Sequence, residues 1–196
     1  MIKNKSDLAY YLECDKIALM IPRDKKRPSY FDNIWKYEIS LRKSEYYLSQ
    51  NGIINKLLYV FWYFRFRSLG VKLSIEIWPN QFGPGLSIAH AGGIVVNGNA
   101  RIGANCRIHE GVTIGATNGQ NEAAQIGNNV FIGSGAKIIG NLSISDDVAI
   151  GAGAVVTKSV TEVGITVGGI PARKISDHGS SSNIVKATDI VKNMGK

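Results

Sequence analysis

Two hydrophobic patterns divide the chain near Leu73. Before that residue, apolar side chains recur at three- and four-residue spacing, which predicts amphipathic helices. Capping and turn residues mark where each helix begins and ends. The expected helices run from a Ser6-Asp7 cap to Ile17, from Pro28-Ser29 to Asn51-Gly52, and from Ile53 to about Ser68.

After Leu73 an aliphatic residue recurs at every sixth position. Counting from Val96 to Val156, ten of the eleven positions in this frame are Ile or Val, and Gln120 is the exception. Neither a helix nor an alternating strand fits this period. Short strands joined by corners fit it, because each coil then buries its aliphatic side chains against the coils above and below. The sequence predicts a mainly β fold, a parallel β-helix of hexapeptide repeats preceded by a small α-helical N-terminal region.

These patterns predict three regions: an α-helical region at 1–72, a β-helix domain at 73–175 and a polar C-terminal tail at 176–196. The start of the tail, 176–183, has the composition of a disordered segment. The repeat fails at Gln120, where 116–125 contains the turn-forming pair Asn118-Gly119. We expect this stretch to be a loop that projects from the coil and borders a functional site.

Composition narrows the class of protein. The 196 residues are 44% hydrophobic and 19% charged, as in soluble globular proteins. Two cysteines cannot form a disulfide framework, and Cys106 falls in a small-residue position of the repeat, which predicts a buried, inert thiol. The longest apolar run, 57–64, is too short to cross a bilayer, and no signal peptide is recognisable. A cytoplasmic protein is expected.

Positive charge is concentrated in the helical region. Of the net charge of +8, residues 1–75 carry +7. A solvated helical face and attraction to an anionic partner both remain open. Nucleic acid is not expected, because no binding motif accompanies the charge. The aromatic helix at 53–68, which contains Arg65 and Arg67, is expected to pack on a core or subunit, or to touch a membrane surface.

The three histidines are candidate general bases. His178 lies in the polar tail. His109 is expected at a coil corner, as an exposed structural residue or lining a groove beside Glu110. His90 falls where the six-residue frame calls for an aliphatic side chain. A buried imidazole needs a partner, so His90 is expected to be a catalytic base or a satisfied core histidine.

Several segments carry a family resemblance. Ile132–Asn141 (IGSGAKIIGN), Ile150–Lys158 (IGAGAVVTK) and Gly168–Arg173 (GGIPAR) resemble the hexapeptide acyltransferases, and Ala89–Val96 (AHAGGIVV) is similar to a segment of bacterial serine acetyltransferases. The resemblance covers roughly 74–175, and the helical part more loosely resembles members from polysaccharide loci. It implies a left-handed β-helix, a homotrimer or a pair of trimers, and acetyl-CoA as co-substrate between neighbouring protomers, without a metal.

The resemblance also implies site residues. His90 matches the catalytic base, and Glu76 takes the place of the aspartate that supports it. The pantetheine arm of acetyl-CoA is expected along small-residue corners, and its phosphates and adenine at basic residues. The implied coenzyme contacts are Gly115, Ser134, Ala152, Lys158, Arg173 and Lys174, and the implied substrate side holds Ala89, His109 and Glu110.

The acceptor is less clearly indicated. Serine acetyltransferases have an aspartate before the catalytic histidine and an Arg-His pair in a later loop, whereas this chain has Ala89 and a loop, 119–125, without Arg or His. We therefore expect direct O-acetylation of a neutral acceptor, a small or lipid-linked sugar of capsule, lipopolysaccharide or exopolysaccharide synthesis. The alternative is a serine O-acetyltransferase of cysteine biosynthesis.

Two functions other than acetyl transfer are also compatible with the sequence. The chain could be a scaffold that binds no coenzyme A. It could instead be a metal-dependent β-helix resembling γ-class carbonic anhydrases, which need three histidine ligands at each interface. Residues 74–175 contain two histidines, so this metal centre is not expected.

Overall fold

Three helices form the N-terminal part of the protein. The computed structural model describes residues 1–117 and 120–194. The helices are α1 (Lys5–Ala18), α2 (Asn33–Leu48) and α3 (Ile53–Leu73). The cap of α1 is Asn4, whose side chain accepts the Asp7 N–H at 2.9 Å, so the expected Ser6-Asp7 cap is wrong by two residues. Helix α3 continues five residues beyond Ser68, to a left-handed Ser74.

Fourteen short strands follow among the described residues. They are β1 (Ile75–Glu76), β2 (Ser87–Ile88), β3 (Ile94–Val96), β4 (Arg101–Ile102), β5 (Arg107–Ile108), β6 (Thr113–Gly115), β7 (Gln125–Ile126), β8 (Phe131–Ile132), β9 (Lys137–Ile139), β10 (Ser143–Ile144), β11 (Ala149–Ile150), β12 (Val155–Val156), β13 (Thr166–Gly168) and β14 (Arg173–Ser176). Successive strands belong to different sheets, except for β13 and β14, so the chain turns a corner after almost every strand.

Three sheets make the faces of a parallel β-helix. Their strand orders are β1-β3-β6-β9-β12, β10-β7-β4 and β14-β13-β11-β8-β5-β2. All pairs are parallel except β13 with β14. In the third sheet Ile88, Ile108, Ile132 and Ile150 lie in register, one above the other. Each coil therefore covers the aliphatic side chain of the next, which confirms the parallel β-helix predicted from the six-residue period.

The repeat positions form the core. All the aliphatic residues of the six-residue frame from Ile102 to Val156 are buried, and Cys106, in its small-residue position of the repeat, is 1% exposed. Burial raises the pKa of the Cys106 thiol to about 12, as expected for an inert cysteine. Gln120 is exposed, so the frame does fail there. The loop expected at 116–125 returns to the core at Ala123 and Ala124, and its Asn118-Gly119 pair lies outside the described residues.

A buried arginine joins the helices to the first coil. Arg42 on α2 is fully buried, and its Nε lies 2.7 Å from Asp15 Oδ2 on α1. Its guanidinium also bonds Glu45 at 3.0 Å and donates to the Phe82 and Gly83 carbonyls at 2.9 and 2.7 Å. Breaking such a network leaves unpaired charges inside the protein. The helical region is thereby fixed against the loop that precedes β2.

The C-terminal segment is folded, which corrects the disorder expected at 176–183. The boundary predicted at 175/176 falls inside β14, and a 3₁₀ turn (Ser180–Ser182) and helix α4 (Ala187–Met194) follow. Ala187 packs with Cys14 and Ala18 of α1. Thr188 exchanges two hydrogen bonds with the Asn105 side chain, at 2.8 and 3.1 Å. The residues joined by these contacts are more than eighty positions apart in the sequence, so the composition of a short segment cannot predict them.

Candidate functional site

His90 lies on the surface of the β-helix, at the corner that follows β2. The inward residue of this coil is Ile88, which is 1% exposed, whereas His90 is exposed. Eight residues instead of six separate Ile88 from Val96, and two of them, Gly92 and Gly93, adopt positive φ angles of 130° and 60°. This enlarged corner shifts His90 out of the inward frame. The core-histidine alternative for His90 is therefore wrong, and its role as catalytic base stays a prediction.

A second imidazole lies beside His90. The Ala89 N–H donates to the Ile108 carbonyl at 2.9 Å, which places the residues after β5 next to those after β2. The His90 and His109 ring centroids are 5.8 Å apart with an interplanar angle of 73°. His109 is half-buried, with Phe131 on its other side at 5.2 Å. The structure therefore places His109 beside His90, and its role in lining a groove beside Glu110 stays a prediction.

Glu110 completes the group. One of its carboxylate oxygens accepts a hydrogen bond from the Ser134 hydroxyl. The other, Oε2, lies 3.8 Å from His109 Nδ1, and it is buried and makes no hydrogen bond within residues 1–117 and 120–194. One nitrogen of His90, one nitrogen of His109 and one Glu110 oxygen lie within 4.8 Å of one another. We call these three residues the His-His-Glu cluster.

The local charges favour an ionised carboxylate and a neutral imidazole. The Ser134 hydrogen bond, with smaller contributions from both imidazoles, lowers the pKa of Glu110. Burial, and then the nearby Arg107 guanidinium, lower the pKa of His109 and outweigh the attraction of Glu110. At neutral pH the corner therefore holds a negative charge beside an uncharged His109 ring that is able to accept a proton.

Glu76 lies on a different face. It is exposed on β1, where it pairs with Val95 of β3, in the sheet that does not contain β2. Within the described chain, no hydrogen bond or ion pair joins Glu76 to His90. The sequence predicted that Glu110 lies near the substrate groove, but it did not predict the hydrogen bond between Glu110 and Ser134. The spacing of 24 residues between them was the available signal, because it is one coil of the β-helix at this point: β5 and β8 are adjacent strands of one sheet.

The expected coenzyme residues fall into three places. Strand register places Ser134 and Ala152 along the same corner as Glu110, so these positions form one column. Gly115 instead ends β6 in another sheet, opposite Ile139. Lys158, Arg173 and Lys174 line one cavity of about 400 Å³ near the C-terminal coils. Lys174 is already paired with Asp177 at 2.6 Å and with Glu162, which raises its pKa.

Helix α2 borders the expected substrate side. A cavity of about 420 Å³ beside Ala89 is lined by Phe31, Ile34 and Trp35 together with Leu73. Sequence reasoning missed these residues. Their apolar spacing predicts a helix that packs against something, and only the fold shows that the packing partner is the coil that carries His90.

Comparisons with known proteins agree with this architecture. The family model "Bacterial transferase hexapeptide (six repeats)" matches residues 123–158. A serine acetyltransferase of Synechococcus elongatus is 42% identical over 104 residues, covering 52% of this chain and 42% of that protein. One of Staphylococcus xylosus is 43% identical over 108 residues, covering 54% and 50%. The chain thus spans about half the length of the curated relatives it matches.

Solved structures extend the similarity to the helical part. A serine acetyltransferase of Brucella abortus in complex with coenzyme A has a TM-score of 0.69 and 29% identity, over 89% of this chain and 70% of that one. A serine acetyltransferase of Neisseria gonorrhoeae has a TM-score of 0.65 and 30% identity, over 88% and 67%. This chain therefore belongs to the hexapeptide-repeat acyltransferases and is similar to the serine acetyltransferases among them.

Proposed function

We propose that this protein is an O-acetyltransferase that uses acetyl-CoA as donor. The observation that carries the proposal is an exposed His90 at a coil corner, beside His109 and an ionised Glu110. The similarity to serine acetyltransferases, one of them solved with coenzyme A, supports the choice of donor. An imidazole that faces solvent beside a carboxylate can accept a proton and hold the resulting charge.

The mechanism follows from these groups. A nitrogen of His90 accepts the proton of the acceptor hydroxyl while the oxygen attacks the thioester carbonyl carbon. The tetrahedral intermediate then collapses, the carbon–sulfur bond breaks, and the coenzyme A thiolate recovers the proton from the imidazolium. The Glu110 carboxylate stabilises the imidazolium between these steps, as a positioning residue held by Ser134.

L-serine is the first candidate acceptor. The curated relatives quoted above are named serine acetyltransferases, which favours this alternative over the sugar expected from the sequence. One observation keeps a neutral sugar hydroxyl as the second candidate. The cavity beside Ala89 contains a single carboxylate among its lining residues, Asp32, and that group is paired with Lys25 at 2.6 Å. It is not free to hold the ammonium group of an amino acid.

A turnover assay separates the candidates. Release of coenzyme A thiol from acetyl-CoA is measured with L-serine and with a panel of neutral sugars. Thiol release with serine alone supports the first acceptor, and release with a sugar alone supports the second. If no acceptor gives turnover and calorimetry detects no coenzyme A binding, the chain is a scaffold and the proposal is wrong.

His90→Ala tests the base. We expect kcat to fall by about 10²–10⁴-fold, the usual contribution of general-base catalysis, with coenzyme A affinity unchanged. His178→Ala is the matched control, because His178 is exposed in the C-terminal segment and should leave the rate as it is. Wild-type turnover in His90→Ala would contradict the mechanism.

A pair of variants decides which carboxylate assists His90. We expect Glu110→Gln to lower kcat with little change in KM for acetyl-CoA, because it removes the charge that stabilises the imidazolium. Glu76→Gln removes the carboxylate on the other face and should have the smaller effect. A larger loss of kcat in Glu76→Gln than in Glu110→Gln would contradict this assignment. It would mean that Glu76 supports the catalytic base, as first expected, through a contact formed between protomers.

The remaining proposals concern assembly. We propose a cytoplasmic homotrimer of left-handed coils, with acetyl-CoA between protomers along the column of Glu110, Ser134 and Ala152. Support comes from the family resemblance and from His90, which is exposed in the single chain. The coenzyme's phosphates would reach Lys158 and Arg173, with Lys174 available only after it leaves its carboxylate partners.

Helix α3 offers a second contact surface. Its exposed apolar side chains, which we call the α3 apolar face, are Ile53, Ile54, Leu57, Val60, Phe61, Phe64 and Val71. None of the described helices has the length and apolar character needed to span a bilayer. We propose that the α3 apolar face contacts a second trimer or an anionic membrane surface, the latter aided by the exposed Lys56 and Arg65.

A further inference from the structure

We propose that the His-His-Glu cluster is a binding site for a divalent transition metal, with Zn²⁺ as its best occupant, and that the bound metal inhibits the enzyme. The binding part of this inference stands on the cluster's geometry alone. The inhibition part rests on the proposed function, because it requires His90 to act as the base.

The donor atoms are close enough to share an ion. One atom from each of His90, His109 and Glu110 lies within 4.8 Å of the other two. Ligands of tetrahedral zinc, at bond lengths of about 2.0–2.2 Å, are separated by roughly 3.3 Å. To bind Zn²⁺, two donor atoms would therefore have to approach each other by at most about 1.5 Å, and both side chains can share that movement. His90 is exposed, so its ring has room to rotate toward the other two.

The donors are also available. In the part of the chain that the structure describes, the side chains of His90 and His109 make no hydrogen bond, and the charged groups near His109 are the Glu110 carboxylate and the Arg107 guanidinium. Glu110 Oε2 is buried without a partner, while Ser134 holds the other oxygen. Such an outer hydrogen bond orients a ligating carboxylate. A metal would pair this Glu110 oxygen, which makes no hydrogen bond among the described residues.

The fold supports two of the three ligands rigidly. His109 and Glu110 directly follow β5, which pairs with β2 on one side and β8 on the other. The His109 and Phe131 rings pack edge to face, with centroids 5.2 Å apart. Ligands placed on a preformed scaffold bind a metal without the cost of ordering a loop.

The donor set selects the metal. Two imidazole nitrogens and one carboxylate oxygen suit Zn²⁺ and its neighbours among the transition metals, whereas Mg²⁺ and Ca²⁺ prefer all-oxygen sites. The two cysteines, Cys14 and Cys106, are buried and cannot offer a competing thiolate. Three protein ligands leave a fourth position for water. Because the metal uses a nitrogen lone pair of His90, that nitrogen can no longer accept the acceptor's proton.

The binding test needs no substrate. Zn²⁺ is titrated calorimetrically into wild-type protein that carries no polyhistidine tag and has been freed of metal by chelation. We expect one Zn²⁺ per chain, affinity reduced at least tenfold in His109→Ala and in Glu110→Gln, and no comparable binding of Mg²⁺. His178→Ala should bind as wild type does. Circular dichroism confirms that each variant is folded.

Two results would overturn the site: no Zn²⁺ binding to folded wild type, or equal affinity in His109→Ala, Glu110→Gln and wild type. Inhibition is measured separately, as the ratio of each protein's rate with Zn²⁺ to its own rate with chelator. We expect this ratio to be at least tenfold lower in wild type than in Glu110→Gln. A complete lack of acetyl transfer would refute the proposed function, while the calorimetric result would still decide whether the metal site exists.

Discussion

Single residues explain how the helical region is attached to the β-helix. Arg42 carries the contact between α1, α2 and the first coil, and Asp15 also accepts the Gly85 and Leu86 N–H groups at 2.8 and 2.9 Å. Glu38 is a second buried carboxylate of α2, and its Oε1 accepts the Ile88 N–H at 3.1 Å. These side chains hold the strand that leads to His90. Their polar character inside the protein makes them sensitive to pH and to substitution.

Glu38→Gln tests this sensitivity. Burial, and then the charge of Asp15, raise the pKa of Glu38 well above its ordinary value, against the opposing effects of the Ile88 N–H and Arg42. A raised folded-state pKa means that the unfolded chain releases this proton first as pH increases. The contribution of Glu38 to stability is therefore fully present below the unfolded pKa and is lost as pH rises toward the folded one.

We accordingly expect Glu38→Gln to gain stability relative to wild type between pH 4 and pH 8, measured as the urea midpoint at fixed protein concentration. Glu76→Gln, which changes an exposed carboxylate, serves as the control and should show a flat difference. A difference for Glu38→Gln that stays constant over this range would mean that Glu38 titrates normally.

At the scale of elements, the β-helix is built from very short strands, each hydrogen-bonded to strands of the neighbouring coils. Strands of two to four residues are stable here because each aliphatic side chain is covered by those of the neighbouring coils. Asn105, Asn129 and Asp147 take left-handed φ angles of 56°, 57° and 59° at corresponding corners. Residues with short polar side chains tolerate that conformation, which lets the chain turn without glycine at every corner.

Ile132→Ala tests the stacking. Ile132 is 0% exposed and lies between Ile108 and Ile150, so the variant opens a cavity inside the β-helix. We expect a loss of about 2–5 kcal/mol in the free energy of unfolding, measured by urea denaturation. Val95→Ala, at a side chain that is 43% exposed, should change stability by less than about 0.5 kcal/mol. Equal losses in the two variants would contradict the assignment of inward positions.

At the scale of the whole molecule, the single chain leaves both proposed contact surfaces open. The corner at His90 and the α3 apolar face are exposed, and large apolar patches commonly mark interfaces. We expect light scattering to give three or six times the chain mass of 21.3 kDa. A monomer at micromolar concentration would rule out a site between protomers.

Phe64→Glu tests the α3 apolar face. Phe64 is 68% exposed, so the substitution adds a charge to the face without opening the core. If the face contacts an anionic membrane, wild type should float with vesicles of acidic phospholipid and Phe64→Glu should not. If it joins two trimers, the variant should halve the mass instead. An unchanged mass together with no flotation of wild type would remove both roles.

Sequence reasoning succeeded where one short-range rule repeats. Each coil needs an aliphatic side chain at the same inward position, so the β-helix could be predicted from Val96 onward without knowledge of any contact. The same rule failed at His90, because the two additional residues of the corner at Gly92 and Gly93 shift the frame. A six-residue period cannot predict which corner of the β-helix contains additional residues.

The sequence by itself determined the β-helix, the preceding helices, the inert Cys106 and the choice of His90 as the candidate base. Only the tertiary structure decided that His90 is exposed, that Glu110 rather than Glu76 lies beside it, and that the C-terminal segment folds back onto α1. The physical reason is that every coil packs its inward aliphatic side chains on those of the next coil, so the same requirement recurs every six residues and is visible in the sequence. The site and the C-terminal contacts depend on residues from distant segments, which meet only after the chain has folded.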